Sequence, residues 1–502
     1  MFRSVLIANR GEIACRIAAT LRAMGVRSVA VYSDADRDAR HVRVADAAVA
    51  LGPAEARASY LNVAALIAAA RQSGAEAVHP GYGFLSENAE FAAAVEAAGL
   101  AFVGPTAEQI RAMGDKRAAR ERARAAGGPI VPGAEGADAA ALERAARPLG
   151  FPLIVKAALG GGGKGMRVVH DRAQLDEALD SAARVAASAF GDASVYVERR
   201  IERARHVEVQ VLGDGAGNAI HLLERECSLQ RRHQKVMEEC PSPVVGPELR
   251  ARMTDAALAL ARAVRYRGAG TLEFLLAEDE SFYFLEMNTR LQVEHPVTEW
   301  VTGFDLVRLQ LEVAATARLP LAQEAVAMRG HAIEARVYAE DAARAFLPQA
   351  GVAARVRWPR APFVRVDDGL MSGDAVPVHY DPILAKLIAW GPNRGLALAR
   401  LTAALDGSLV HGVISNLPFL RALARAPEVR RAAFDTEWIE REFLAGFAAL
   451  AQAPAPEQAL AAASIAELLG LAREESGDGA ARAGAAPTPF DALGAWRQPG
   501  LA

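Results

Sequence analysis

The order of strand and helix patterns changes near residue 115, and this change constrains the fold more than any other feature of the sequence. Up to residue 114 the two patterns alternate: strand-like segments at Ser4–Asn9, Ser28–Ser33 and Ala77–His79 are separated by apolar residues at helical spacing. Such alternation predicts an α/β fold with a parallel sheet between helical layers. Ligands are expected where the strands of such a sheet end.

From residue 115 to about 330, neighbouring strand patterns are joined by turns. Three hairpins are predicted: Leu153–Ala157 with Met166–His170, His206–Leu212 with Ala219–Ser228, and Thr271–Leu276 with Phe282–Asn288. Hairpins with few intervening helices indicate antiparallel α+β packing. Residues 331–445 are mixed, and the Ala- and Pro-rich residues 446–502 resemble a linker or the start of a truncated following domain. We therefore expect a multidomain chain with segments 1–114, 115–330, 331–445 and 446–502.

The composition argues against several classes of protein. A net charge of −3 and a pI of about 6.4 offer no basic face to nucleic acid or to a membrane surface. Met1 leads directly into a strand pattern without the features of a signal peptide, and no apolar run approaches the roughly 20 residues that span a bilayer. Cys15, Cys227 and Cys240 form no C-x-x-C pair, which suits a reducing compartment. We expect a cytoplasmic protein without nucleic-acid or membrane partners.

The first predicted hairpin carries the glycine-rich loop Gly160–Gly165. It differs from a P-loop, because a P-loop opens a helix, whereas the strand pattern Met166–His170 follows here. Consecutive glycines can present backbone N–H groups to phosphate, and Lys156 on the preceding strand could add a positive charge. A flexible turn with a surface lysine explains the same residues, so the loop alone leaves both interpretations open. The loop Asn9–Glu12 has one glycine where a dinucleotide fingerprint has three, which argues against NAD binding.

The third predicted hairpin brings acidic residues together. If it turns symmetrically at Asp279 and Glu280, Glu273 faces Glu286, and Asn288 lies on the same strand face as Glu286. Like charges in a facing pair are destabilising, whereas two carboxylates and an amide oxygen suit Mg²⁺. An exposed polar strand face without a metal is the alternative. Apolar neighbours on both faces of the hairpin indicate burial and favour the metal site.

Charged residues follow this hairpin and the preceding one. Arg290 could stabilise anionic charge that develops in a reaction, and Glu294 could act as a general base. His233 and Lys235 follow the hairpin that begins at His206. Taken alone, Arg290 or Glu294 would more often have a structural role, and a solvated basic face would be the favoured interpretation of His233 and Lys235.

At these residues the sequence resembles the biotin carboxylase family of ATP-grasp enzymes, from about residue 2 to residue 445. The motifs that carry the resemblance are Ile7–Ala14, His79–Asn88, Met113–Lys116, Arg231–Val236 and Glu286–Glu299. The resemblance implies a Rossmann-like N-terminal domain over 1–114, an ATP-grasp domain over 115–330 with a mobile lid at about 133–200, and a C-terminal biotin carboxylase domain over 331–445.

The resemblance also implies the site residues. ATP would contact Lys116, Lys156, Gly162, Gly163, His206 and His233, with Glu198 and Ile201 at the adenine end. Mg²⁺ or Mn²⁺ would be held by Glu273, Glu286 and Asn288. Bicarbonate would bind Lys235, Arg290 and the backbone of Val293; Glu294 would deprotonate it, and Arg336 would stabilise the biotin enolate.

The reaction implied by the resemblance is an ATP-dependent ligation. Bicarbonate attacks the γ-phosphate of ATP, which gives carboxyphosphate and ADP. Carboxyphosphate releases CO₂, the phosphate takes the N1′ proton of biotin, and carboxybiotin forms. The lid would exclude water, because carboxyphosphate hydrolyses readily.

The segments Tyr380–Leu387 and Asn288–Gln292 resemble the α subunits of acyl-CoA carboxylases, particularly the methylcrotonoyl-CoA and geranyl-CoA types. Pro487–Arg497 resembles the lead-in to the domain that follows in those subunits. The sequence contains no A-M-K-M-type motif. We therefore expect a truncated form of a longer subunit, or a shortened subunit whose biotin is supplied by a separate carrier domain or protein. A carboxyltransferase subunit and an oligomeric assembly are the further partners expected.

Two other functions account for part of the sequence. A different ATP-grasp ligase, joining a carboxylate to an amine, would share the lid and the acidic hairpin but would need neither Arg336 nor the segment His233–Lys235. A non-catalytic assembly subunit would need none of these groups. The presence of a suitable residue at every catalytic position argues against the second alternative.

Overall fold

The alternating N-terminal segment forms a parallel sheet of five strands, as predicted. In spatial order the strands are Ala47–Gly52, Arg27–Ser33, Ser4–Ile7, Ala77–His79 and Ala101–Phe102. The helices of this segment are Gly11–Ala23, Arg40–Val44, Val63–Ser73, Ala89–Ala97 and Ala107–Gly114. The strand Ala47–Gly52 is absent from the predicted elements, because this alanine-rich edge strand is half exposed and its apolar pattern is weak.

The computed structural model describes residues 1–134, 139–157, 166–191 and 193–451, with single positions at 457, 461, 464 and 465. Residues 1–451 form one compact unit. The predicted linker 446–502 therefore lies mostly outside the described residues.

Two loops meet where the parallel strands end. The Asn9 side chain, which follows the strand Ser4–Ile7, donates through Nδ2 to the carbonyl oxygens of Pro80 and Tyr82, each at 2.7 Å. Pro80 and Tyr82 follow the neighbouring strand Ala77–His79. This contact joins the two loops at the sheet edge where a ligand is expected.

The remainder of the chain centres on an antiparallel sheet of eight strands. In spatial order they are Phe282–Asn288, Arg267–Leu276, Arg205–Asp214, Ala219–Arg231, Gln234–Cys240, His331–Tyr338, Ile383–Gly391 and Val364–Asp368. The strand Gln234–Cys240 pairs directly with His331–Tyr338. Residues on both sides of the predicted boundary at 330 thus share one hydrogen-bonded sheet, and the domain limits stay predictions.

Helices and short ladders surround this sheet. The helices are Lys116–Ala125, Pro247–Ala263, His295–Thr302, Leu306–Thr316, Arg394–Gly407, Leu417–Arg425, Pro427–Arg431 and Leu444–Ala451, with a π-helical turn at Ile439–Phe443. The short ladders pair Glu340–Asp341 with Leu347–Pro348, Gly351–Val352 with Ala375–Val376, and Arg355–Arg357 with Leu409–His411.

A separate antiparallel sheet of four strands contains the first predicted hairpin. Its strands, in spatial order, are Gly133–Ala134, Val195–Arg199, Leu153–Ala157 and Arg167–Val169, and its helices are Ala139–Ala146 and Leu175–Phe190. The two strands that flank the glycine-rich loop pair as predicted. The loop itself, including Gly162 and Gly163, lies outside the described residues.

Buried apolar side chains divide into separate clusters beneath the sheets. One cluster joins the helix Pro247–Ala263 to the eight-stranded sheet, and another joins the helix Leu306–Thr316 to the helix Gly11–Ala23 of the parallel sheet. Across the described ranges, no helix is both long enough and apolar enough to cross a membrane.

Candidate active site

A cleft of about 1350 Å³ is lined by both antiparallel sheets and by the two loops of the parallel sheet. Every predicted site residue that the structure describes lines it: Lys116, Lys156, Glu198, Ile201, His206, His233, Lys235, Glu273, Glu286, Asn288, Arg290, Val293, Glu294 and Arg336. The predicted residues Gly162 and Gly163 belong to the undescribed loop. Residues that are up to 220 positions apart in the sequence, Lys116 and Arg336, thus share one cavity.

The acidic hairpin has the predicted facing pair but a different turn. Glu273 pairs with Glu286, and Thr271 pairs with Asn288. The hairpin turns through residues 278–280, because the Ala277 N–H donates to the Ser281 carbonyl at 2.8 Å, so the predicted symmetric turn at Asp279 and Glu280 is wrong. The register shifts by one residue between Glu273 and Phe274, because Leu285 on the second strand has no partner on the first. This shift compensates for the different turn, so that Glu273 still faces Glu286.

Glu273 is a buried carboxylate with three hydrogen-bond donors and a histidine around it. His206 Nε2 lies 3.0 Å from its Oε2, and Lys235 Nζ, Asn288 Nδ2 and Gln292 Nε2 each lie 2.9 Å from its Oε1. Burial alone would raise the pKa of Glu273, but the charges of Lys235 and His206 outweigh burial and hold this pKa well below its usual range. The carboxylate is therefore ionised.

Glu286 occupies the more open side of the pair. Its Oε2 lies 3.0 Å from Lys116 Nζ, and about a third of its side chain is exposed to the cleft (35 %). Asn288 Oδ1 accepts from Arg290 Nη2 at 3.0 Å and retains a second lone pair. Two carboxylates and an amide oxygen at one cleft wall are a donor set that fits a hard divalent cation such as Mg²⁺.

Lys235 lies among three carboxylates. Its Nζ is 2.6 Å from Glu208 Oε2, 2.6 Å from Glu294 Oε1 and 2.9 Å from Glu273 Oε1. Burial lowers the pKa of an ammonium group, but the nearby Cys227 sulfur and these carboxylates outweigh it and raise the pKa of Lys235 well above its usual value. The alternative interpretation of a solvated basic face therefore does not apply to Lys235, whose side chain is 11 % exposed.

Glu294 lies between two cations. Lys235 Nζ contacts one carboxylate oxygen at 2.6 Å, and Arg336 Nη2 donates to the other at 2.9 Å. Burial would raise the pKa of Glu294, but Lys235 and Arg336 hold it well below the usual range. The carboxylate of Glu294 is therefore ionised and chemically able to accept a proton.

Arg290 lines the cleft together with Glu294. Its Nε donates to Glu87 Oε2 at 2.9 Å, which joins the N-terminal loop to the segment after the acidic hairpin. Desolvation would lower the pKa of Arg290, but Glu87 outweighs it and keeps the guanidinium charged. Arg290, Lys235 and Val293 thus all line the same cavity.

The other end of the cleft contains the remaining predicted residues. Lys156 Nζ lies 2.5 Å from Glu198 Oε2, and Arg120 is also paired with Glu198. Ile201 follows the strand Val195–Arg199, which contains Glu198, and is partly exposed. His233 occupies an exposed turn with a positive φ of 66°, between the strands Ala219–Arg231 and Gln234–Cys240.

Sequence reasoning missed Glu208 and Arg225, which support the site from below. Arg225 is fully buried, and its guanidinium contacts Glu208 Oε1 at 2.5 Å, Gln210 Oε1 at 2.7 Å and Gln292 Oε1 at 2.6 Å. Strand alternation was a usable signal, because Glu208 is two residues from His206 and therefore on the same face. Arg225 gives no such signal, because its sequence neighbours Glu224 and Glu226 are charged as well and the segment therefore resembles an exposed polar stretch.

Comparisons with known proteins agree along most of the chain. A family model described as the biotin carboxylase N-terminal domain matches residues 1–110, the carbamoyl-phosphate synthase L chain ATP-binding domain matches 115–322, and the biotin carboxylase C-terminal domain matches 334–441. The propionyl-CoA carboxylase alpha chain of Ruegeria pomeroyi is 46 % identical over 469 residues, which cover 89 % of this chain and 69 % of that protein. The chain belongs to the biotin carboxylase family.

Other biotin carboxylase relatives extend this finding. A crystal structure of biotin carboxylase from Campylobacter jejuni in complex with β,γ-ATP matches with a TM-score of 0.85 and 42 % identity, over 88 % of this chain and 99 % of that one. The methylcrotonoyl-CoA carboxylase subunit alpha of Oryza sativa is 50 % identical over 441 residues, which cover 87 % of this chain and 60 % of that subunit. This chain thus spans about 60 % of the length of the rice subunit. The family's ATP-dependent ligase class agrees with the expected enzyme class.

Proposed function

We propose that this chain uses ATP and bicarbonate to carboxylate biotin on a carrier domain or protein, as the biotin carboxylase component of an acyl-CoA carboxylase. The observation that carries the proposal is the position of Glu294. Its carboxylate lies between the cations Lys235 and Arg336, at 2.6 and 2.9 Å, in a cavity that also contains the acidic hairpin. A base flanked by two cations suits the deprotonation of a small anion.

ATP would extend along the cleft between the two antiparallel sheets. Lys116, Lys156, His206, His233, Gly162 and Gly163 would contact it, with Glu198 and Ile201 at the adenine end. Glu273, Glu286 and Asn288 would hold Mg²⁺ or Mn²⁺, which would neutralise phosphate charge. Residues 133–200 would form a lid that keeps water from a reactive intermediate.

Bicarbonate would bind at the corner formed by Lys235, Arg290 and the backbone of Val293. Lys235 would exchange some of its contacts with Glu208, Glu273 and Glu294 for the bicarbonate oxygens. Glu294 would then take the bicarbonate proton as an oxygen attacks the γ-phosphorus and ADP leaves, so that carboxyphosphate forms.

Biotin would react beside Arg336. Carboxyphosphate would release CO₂, and the resulting phosphate would take the N1′ proton of biotin. The Arg336 guanidinium would stabilise the negative charge that develops on the ureido oxygen, and N1′ would then bond to CO₂.

The methylcrotonoyl-CoA type of acyl-CoA carboxylase is the assembly we propose, with a carboxyltransferase subunit and a biotin carrier as partners. Its support is the 50 % identity to the rice α subunit. A cytoplasmic location is part of the proposal; the unpaired, buried Cys227 and Cys240 suit a reducing compartment. Fractionation of cells from the native source tests the location.

The test of the function is ATP hydrolysis by the purified chain with Mg²⁺. We expect phosphate release to depend on bicarbonate and to increase when free biotin is added. Hydrolysis that ignores both compounds but responds to an amino acid or amine would replace this function with that of a carboxylate–amine ligase. Absence of hydrolysis with every addition would favour the non-catalytic alternative.

A further inference from the structure

We infer that Lys386 is a positioning residue that sets the backbone of the bicarbonate-binding turn. The inference deepens the proposed function and rests on it. Val293 and Glu294 form the turn between the strand Phe282–Asn288 and the helix His295–Thr302. This turn lies outside the ladder hydrogen bonds of the sheet, so other groups must fix its conformation.

Lys386 reaches this turn from the interior. Its side chain is 0 % exposed, and Nζ donates to the carbonyl oxygen of Val293 at 2.9 Å. The same nitrogen lies 3.3 Å from Glu12 Oε1 and 3.8 Å from Asp367 Oδ2. A buried ammonium group is costly without such partners, and the shortest of the three contacts is with the backbone of the turn.

The contact with the Val293 carbonyl has a geometric consequence. The peptide group is planar, so a fixed carbonyl oxygen fixes the plane that joins Val293 to Glu294. The orientation of that plane restricts the backbone of Val293, which is proposed to bind bicarbonate. It also restricts the Cα position of Glu294, which is proposed to take the bicarbonate proton. Lys386 therefore acts through both residues without contacting the substrate.

The sheet register supplies an independent observation. Lys386 pairs with Arg336 across the strands His331–Tyr338 and Ile383–Gly391, so the two side chains project from the same face. Arg336 Nη2 donates to the Glu294 carboxylate at 2.9 Å, while Lys386 Nζ donates to the preceding carbonyl at 2.9 Å. On these paired strands, Arg336 thus contacts the side chain of the turn residue Glu294, and Lys386 contacts the backbone of the turn residue Val293.

A purely structural role for Lys386 makes a different prediction. If Lys386 served only to neutralise buried acids, removing the charge of its nearest acid, Glu12, would disturb the site as much as removing Lys386. Glu12 lies on the helix Gly11–Ala23, and its carboxylate is 3.3 Å from Lys386. Glu12 is therefore the matched control position.

The experiment measures bicarbonate-dependent ATP hydrolysis by the full chain and by three variants: Lys386→Met, Glu12→Gln and the double variant. We expect Lys386→Met to raise the KM for bicarbonate about tenfold or more, with the KM for ATP within about twofold, since a charge-assisted hydrogen bond is lost. Glu12→Gln should leave the KM for bicarbonate within about twofold. The double variant, which leaves no unpaired Glu12 carboxylate, should fold and keep the raised KM even if Lys386→Met alone is unstable.

The outcomes separate the two levels of the proposal. A double variant with the parental KM for bicarbonate, or equal effects of Glu12→Gln and Lys386→Met, would overturn the positioning role. A parental chain without bicarbonate-dependent hydrolysis would instead overturn the proposed function, and this inference with it.

Discussion

Replacing Glu294 with glutamine tests the centre of the proposed mechanism. The amide has nearly the shape of the carboxylate but cannot accept the bicarbonate proton. General-base catalysis typically contributes about 100- to 10,000-fold, so kcat for bicarbonate-dependent ATP hydrolysis should fall by at least about 100-fold. The KM for ATP should stay within about threefold, because the ATP contacts are on other residues.

The structure also sets the expected change in stability. Without the Glu294 charge, Lys235 keeps Glu208 and Glu273 at 2.6 and 2.9 Å, and Arg336 keeps Glu238 at 2.5 Å. Each cation retains at least one carboxyl partner, so the free energy of unfolding should fall by about 1–3 kcal/mol, the value for a lost charge-assisted hydrogen bond. Urea denaturation followed by circular dichroism measures this loss, and steady-state phosphate release measures kcat.

Glu239→Gln is the matched control for Glu294→Gln. Glu239 is equally buried and contacts two side-chain donors, His331 Nε2 at 2.6 Å and Arg394 Nε at 2.7 Å, but it does not line the cleft. Its variant should lose comparable stability and keep kcat within about twofold. A fall of less than about tenfold in Glu294→Gln, or a fall of the same size in Glu239→Gln, would refute the assignment of Glu294 as the base.

Three further substitutions test the surrounding groups. Glu286→Gln should raise the Mg²⁺ concentration for half-maximal ATP hydrolysis about tenfold with little change in the KM for bicarbonate; an unchanged Mg²⁺ titration would contradict the metal site. Arg225→Met should lower the free energy of unfolding by about 3–5 kcal/mol in urea, because Glu208 loses one of its two buried cations and the buried Gln210 and Gln292 lose a donor. A loss below about 1 kcal/mol would be inconsistent with this reasoning. Burial raises the pKa of Glu238 to about 7 although Arg336 opposes it, so the parental chain should lose stability as the pH rises from about 4.5 to 7. Glu238→Gln should therefore gain stability relative to the parental chain by up to about 3 kcal/mol more at pH 8 than at pH 5 in thermal or urea denaturation, and a gain independent of pH would contradict the expected ionisation.

Strand periodicity correctly predicted that Glu273 faces Glu286, but it assumed a symmetric turn and a regular ladder, and the hairpin has neither. The predicted symmetric turn fails because Glu280 adopts a positive φ of 61°, a conformation that residue type alone does not indicate for glutamate. The extra residue at Leu285 then offsets the shifted turn, so that Glu273 and Glu286 still face each other. The pairing depends on two local irregularities that cancel.

The buried charges were harder to predict, for a physical reason. Patterns of polar and apolar residues assign charged side chains to solvent, whereas Arg225 and Glu208 are both fully buried because each neutralises the other. Arg336 was predicted as a site residue only from the family resemblance. Its contact with Glu294 depends on the order of the strands in the sheet. Residue patterns within one hairpin contain no information on that order.

The eight-stranded sheet limits how this chain can change in length. Arg336 lies on the strand His331–Tyr338, whose side chains alternate between the cleft and the opposite face. One residue inserted between His331 and Arg336 would turn the guanidinium away from Glu294 while every catalytic residue remained in the sequence. We therefore expect insertions to be better tolerated in the connections between strands, because a single codon added within this strand would separate the Arg336 guanidinium from the Glu294 carboxylate.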